Sequence, residues 1–408
     1  MTMTAGRRRI HRRLAALPGV RSLRRPVTPD GRAAFDLYYV RSGPRSPHPL
    51  LVVPGGPGAA SIALYRGLRR RAAAAGLDVL MVEHRGVGLS RHDDTGADLP
   101  AAALTVEQVV ADLAAVLDHE RVERVVVYGS SYGAYLAAGL GVRHPARIHA
   151  MVLDSPVCSA GDIHTVRAAL RRAFWDGADP DTAALAPRIR RLAEAGALSP
   201  AGVQLAVTVY GLAGPEVLGR LLDLLAAGRT GVWTAVGGLA RYLLDRQTPF
   251  HFEPDLVERI GYRELDFGAE PDGGPLDPAP AYRAAAHTPV AFEAEPYDLH
   301  RALPGFGWPT VVLAGGRDLV TPPALARAAA RRIPGAVPVE LPTAGHSLLD
   351  LREAAALEVA RAVHTGATAG LAARVRELDA LPPGAAVRLA ARAVAAAARA
   401  EALLVRAS

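Results

Sequence analysis

Residues 50–53, 79–82, 125–128 and 148–153 are short, mainly apolar runs, and the stretches between them carry apolar positions at helical spacing. In 105–119, Val106, Val109, Val110, Leu113, Val116 and Leu117 recur on one helical face. A strand without polar alternation is buried on both sides, and the intervening helices supply its cover. The pattern predicts βαβ units around a mostly parallel sheet, with 35–40 as an earlier strand and 62–75 and 135–143 as further helices.

After Asp154 the rhythm changes. Helical patterns dominate from 155 to 302, at 166–174, 183–194, 215–226 and 238–244, and the strand pattern returns only at 310–313 and 337–341. A mainly helical insertion that interrupts an α/β sheet belongs over the strand ends, where such sheets bind ligands. The expected organisation is a core of 31–154 and 303–365, a helical cap of 155–302, a flexible basic arm of 1–30 and a helical C-terminal extension of 366–408.

Basic residues number 47 against 40 acidic ones, and every one of them is Arg. Without Lys there is no P-loop, no Schiff base and no Ser–Lys dyad. Arg7, Arg8, Arg9, Arg12, Arg13, Arg21, Arg24 and Arg25 crowd the N-terminal segment, so the excess is assigned to a solvated arm and no nucleic-acid partner is expected. Cys158 is the single cysteine, which excludes an intrachain disulfide and a cysteine metal cluster. No metal or organic cofactor is expected. Residues 14–20 are too short for a signal segment and are broken by Pro18, and no run of about 18 apolar residues occurs. A cytoplasmic location without a membrane span is expected; oligomeric state leaves no signal.

The chemistry concentrates in Gly129-Ser130-Ser131-Tyr132-Gly133, which follows the run 125–128 and opens a helix. G-x-S-x-G in that context makes a turn so sharp that the central serine stands exposed, which makes Ser131, not Ser130, the candidate nucleophile. An ordinary turn rich in small residues would have the same composition. A serine needs a histidine to take its proton and an acid to orient that histidine. Asp318, after the strand 310–313, and His346, after the strand 337–341, supply them in the chain order Ser, acid, His. Asp154, at the end of the strand 148–153, is a rival acid. A developing oxyanion needs two backbone donors. The N–H of Tyr132 is one, and the loop Pro54-Gly55-Gly56-Pro57-Gly58 offers the other, Gly56 before Gly55.

Gly55-Gly56-Pro57-Gly58, Arg85-Gly86-Val87-Gly88-Leu89-Ser90, the turn around Ser131, Asp318-Leu319-Val320-Thr321-Pro322-Pro323 and Gly345-His346-Ser347 together resemble the α/β-hydrolase superfamily. Within it they are similar to the prolyl iminopeptidase and tripeptidyl aminopeptidase family of serine peptidases. Pro54 stands where that family often has His, and Glu83 where it usually has Asp. The resemblance implies hydrolysis of peptide or amide bonds next to a free N-terminus through an acyl-enzyme, on a small-molecule or short-peptide substrate. The same constellation serves an esterase, lactonase or thioesterase. It further implies a cap acid that holds the substrate ammonium; Glu264 in Gly261-Tyr262-Arg263-Glu264 is that candidate, with Glu253, Asp255 and Glu258 behind it.

Overall fold

In the computed structural model, residues 3–245 and 248–407 are described. Eight strands form one sheet: β1 Val20–Pro26, β2 Ala34–Ser42, β3 Leu50–Val53, β4 Val79–Val82, β5 Val125–Ser130, β6 Ile148–Asp154, β7 Thr310–Gly315 and β8 Val337–Leu341. Their order is β1-β2-β4-β3-β5-β6-β7-β8. The pairs β1·β2 and β2·β4 are antiparallel and every other pair is parallel. Seven strands fall where the apolar runs predict them, because β3 to β7 are buried on both faces. Leu51, Val53, Val127, Leu153 and Val312 enter one apolar cluster, and Leu50, Val52, Tyr128, Val152 and Val311 enter the other.

The N-terminal segment corrects the expectation of a flexible arm at 1–30. Ala5–Ala15 is a helix whose N-cap, Thr4, accepts from the Arg7 amide at 3.2 Å. Val20–Pro26 is the edge strand, in register from Val20 opposite Val40 to Pro26 opposite Ala34. The reason is pairing. Arg25 meets Asp112 at 2.8 Å, Arg21 meets Glu120 at 2.7 Å, Arg24 meets Asp94 at 2.5 Å and Arg7 meets Glu253 at 2.5 Å. Half of the eight N-terminal arginines, Arg7, Arg21, Arg24 and Arg25, thus meet carboxylates distant in sequence.

Arg85 is fully buried and grips Asp112 of the helix Val106–His119 through two bonds of 2.6 and 2.8 Å, with the Val27 and Ala103 carbonyls accepting the rest of its fork. Removing one partner of such a pair costs about 3–5 kcal/mol, because the other charge stays buried alone. The Arg85-Gly86-Val87-Gly88 motif is thus a structural clamp.

Between β6 and β7 the described residues form helices and loops, among them Asp162–Leu170, Pro200–Ala213, Pro215–Ala226, Gly231–Asp245 and Pro254–Leu265. They have their own apolar cluster, built around Leu170, Phe174, Ile189, Leu218 and Leu222. The long helix Ala385–Ala407 is part of this body. Its Ala398 is buried in the same cluster, and Glu401 accepts from the Gly231 and Val232 amides that open a cap helix. Among the described residues no helix is long and apolar enough to cross a membrane.

Candidate active site

The turn after β5 gives Ser131 φ 54° and ψ −121°, a region L-residues rarely adopt, and the helix Tyr132–Arg143 begins immediately after it. The two flanking glycines make the turn possible. A Cβ on Gly133 would sit 2.2 Å from the Val53 carbonyl oxygen, and one on Gly129 would sit 2.3 Å from that of Gly133. Without side chains there, the turn can press against the end of β3 and lift Ser131 out of it.

Three of the side chains predicted from sequence meet here. Ser131 Oγ lies 3.0 Å from His346 Nε2, and His346 Nδ1 lies 2.9 Å from Asp318 Oδ2. Asp318 is fixed from behind: its Oδ1 accepts from the Val320 and Thr321 amides at 2.8 and 2.9 Å. Burial by itself would lower the pKa of His346, but the charge and hydrogen bond of Asp318, with Asp154 and Asp350 further off, carry it above the ordinary histidine value. The imidazole is thereby made a better proton acceptor.

Asp154 does something else. It is fully buried and accepts from the Leu348 and Leu349 amides at 3.1 and 2.9 Å and from the Tyr128 hydroxyl at 3.0 Å. Those amides lie just beyond His346, so Asp154 anchors the loop that carries the histidine. Thr321, not anticipated from sequence, reaches Asp318 Oδ2, His346 Nδ1 and the Ser155 carbonyl at 3.0, 3.1 and 2.9 Å. The only signal for it was its place three residues after Asp318 in Asp-Leu-Val-Thr-Pro.

Gly55, Gly56 and Ser131 share the wall of one cavity. A Cβ on Gly55 would lie 3.1 Å from that of Ser131, so Gly55, the second choice from sequence, is immediately beside the serine. Tyr132 opens its helix, so its N–H has no partner one turn back.

That cavity has a volume of about 540 Å³ and walls that are mainly apolar, with Val157, Ile163, Phe252, Tyr262 and Phe267 among them. Three carboxylates reach it: Asp162, Asp266 and Asp350. Asp350 accepts from Tyr65 and Ser347, and Asp162 from the Cys158 and Ser159 amides. Burial, with Glu295 nearby, pushes Asp162 up to about 6. The carboxylate of Asp266, in left-handed conformation at the end of the helix Pro254–Leu265, has no hydrogen bond or ion pair among the described residues, and burial followed by the charge of Glu270 raises its pKa.

Glu264 does not join them, which corrects its assignment as the ammonium anchor. Its carboxylate is buried on the opposite side of the helix, where it pairs with Arg263 and accepts from the Val106 amide at 2.9 Å, at the N-terminus of the helix Val106–His119. A helix N-terminus attracts a carboxylate strongly, and this one was satisfied inside the protein. The other three cap acids are also committed: Glu253 to Arg7, Asp255 to Arg91 and Glu258 to His287.

A family model described as alpha/beta hydrolase fold matches residues 48–199. A "Probable proline iminopeptidase" of Streptomyces coelicolor is 29% identical over 117 residues, 29% of this chain and 35% of the relative. Another of the same name from Leptolyngbya boryana is 27% identical over 124 residues, 30% of this chain and 35% of the relative. The matched part thus spans about a third of the length of these curated relatives. Among solved structures, Rv0554 from Mycobacterium tuberculosis superposes with a TM-score of 0.50 at 19% identity, over 85% of this chain and 99% of that one. Sheet order, strand-to-helix turn and family match agree: this chain has the α/β-hydrolase fold, and over part of its length it is similar to proteins named as probable proline iminopeptidases.

Proposed function

We propose that the protein is a serine hydrolase that forms an acyl-enzyme on Ser131 and cleaves peptide or amide bonds next to a free N-terminus. The observation that carries this proposal is the hydrogen-bonded chain from Ser131 through His346 to Asp318, open at its serine end to a large cavity. His346 takes the hydroxyl proton as Ser131 attacks the carbonyl, and the resulting imidazolium is stabilised by Asp318. The same proton then passes to the leaving amine, and a water activated by His346 releases the acyl group. The N–H groups of Tyr132 and of Gly55 or Gly56 receive the developing oxyanion, each worth about 10²–10³ in rate. No metal or cofactor enters these steps.

Similarity to proline iminopeptidases supports the amide specificity, and so does the carboxylate of Asp266, the one of the three in the chamber with no partner among the described residues. A substrate ammonium there would supply the partner that Asp266 lacks. A second reading, an esterase or lactonase for a small hydrophobic metabolite, is favoured by the apolar walls and by the commitment of Glu264, Glu253, Asp255 and Glu258 elsewhere.

A hydrolysis panel separates the two. Free-amine peptide amides should be cleaved in preference to their N-acetylated forms if the aminopeptidase assignment holds. Efficient cleavage of nitrophenyl esters with equal rates on blocked and free amides would instead establish the esterase.

A further inference from the structure

The cap segment around Glu253 is stitched to the glycine loop beside Ser131. The Glu253 amide donates to the Gly58 carbonyl and the Ala60 amide to that of His251, both at 2.9 Å, and Ala59 bridges to Phe252. The Glu253 side chain, 2% exposed, accepts from the Gly88 amide at 2.7 Å and the Phe250 amide at 3.1 Å. Next to it Glu83, also buried, accepts from the Ile62 and Leu89 amides at 2.9 and 3.1 Å. The Glu253 side chain thus joins its segment to the turn at Gly88, Glu83 joins Leu89 of that turn to Ile62, and the Glu253 amide holds the glycine loop at Gly58.

The nearest cation to Glu253 comes from the N-terminal helix. Arg7 places its two terminal nitrogens 2.5 and 2.9 Å from the two oxygens of Glu253, donates to the Gly88 carbonyl at 3.1 Å and lies over the Phe250 ring at 4.5 Å. Arg91 is 4.0 Å from Glu253 and is engaged by Asp98 and Asp255. His11, one turn on, reaches the Leu89 carbonyl at 3.2 Å.

We infer that Arg7 is a positioning residue: its bidentate grip on Glu253 sets the glycine loop against Ser131, so that the N-terminal helix completes the oxyanion site from a distance. This rests on Ser131 being the nucleophile and the glycine loop an oxyanion donor. Fork-to-carboxylate pairing fixes direction as well as charge, which a point cation does less well. Burial, followed by the neighbouring charge of Glu253, pushes Glu83 up to about 7. Small displacements of a donor loop are expensive in rate, on the order of 100-fold for 1 Å.

The test is turnover of nitrophenyl acetate by full-length enzyme, with competent sites counted by fluorophosphonate labelling. Arg7→Gln should lower kcat per labelled site by about 10- to 100-fold with KM little changed, and Arg7→Lys should recover part of that loss. Should Arg7→Gln not fold, Arg7→Gln with Glu253→Gln leaves no unpaired buried charge; it should fold, as judged by its Tm, and still show the lowered kcat per site. Wild-type kcat per labelled site in either variant, with only the labelled fraction reduced, overturns the inference and leaves Arg7 a stability residue. Turnover that survives in Ser131→Ala would instead overturn the underlying assignment of the nucleophile.

Discussion

Ser131, Asp318 and His346 stand on loops at the ends of parallel strands, whereas Tyr262, Asp266 and Phe267 reach the same cavity from the end of one cap helix and the loop after it. The first group is braced by backbone amides and by β5 and β7, which are buried on both faces, and its mutual distances follow from strand register. The second group depends on how one helix is rotated and seated. On the proposed function, reaction type follows from the floor and substrate choice from the roof. Substitutions in the two should therefore fail differently: floor variants lose turnover on every substrate, and roof variants lose some substrates only.

The largest effect belongs to the floor. Ser131→Ala should reduce kcat by about 10⁶-fold on esters and amides alike. Selective loss on one class alone would mean that Ser131 is not the common nucleophile. Next, Asp318→Asn should cost about 10⁴ in kcat by leaving His346 in the wrong tautomer. Asp154→Asn should cost far less per competent site, because Asp154 holds the His346 loop and not the imidazole. The two acids can also be separated by pH. His346 must be neutral to accept a proton and its pKa is raised, so kcat/KM should climb with pH through a midpoint above the ordinary value of about 6.5. Removing the Asp318 charge should move the residual activity's acid limb to lower pH. An unmoved limb would mean that another group titrates.

The roof should answer more mildly. N-acetylation of a peptide substrate should lower kcat/KM by about 10- to 100-fold, the worth of a charge-assisted hydrogen bond. Asp266→Asn should lose a similar factor on free-amine substrates and little on acetylated ones, and equal loss on both would remove Asp266 from recognition. Smallest of all, Ile163→Ala should raise KM about 3- to 10-fold for esters of bulky apolar acids while sparing nitrophenyl acetate.

The same contrast explains what could be read from the sequence. The runs behind β3 to β8 are apolar enough to be recognised singly, and the G-x-S-x-G turn fixes one serine by its own geometry. The edge strand β1 could not be recognised, because Val-Arg-Ser-Leu-Arg-Arg-Pro alternates half-exposed positions and its arginines find carboxylates distant in sequence. Glu264 failed for a related reason. Arg263, Glu264 and Leu265 are neighbours in the chain but point around a helix in different directions, and only tertiary packing decides that Leu265 faces the cavity while Glu264 caps another helix. Asp318 lies beside His346 as its place in the chain suggests, since its loop leaves a strand next to the one that leads to the histidine.

The most direct measurement is identification of the residue acylated by a fluorophosphonate, by peptide mass spectrometry of the intact full-length protein after labelling. The expected result is one adduct, on Ser131, formed faster as pH rises through the His346 limb and absent in Ser131→Ala. An adduct on Ser130, Ser155 or Ser347, or labelling unchanged in Ser131→Ala, would contradict the account.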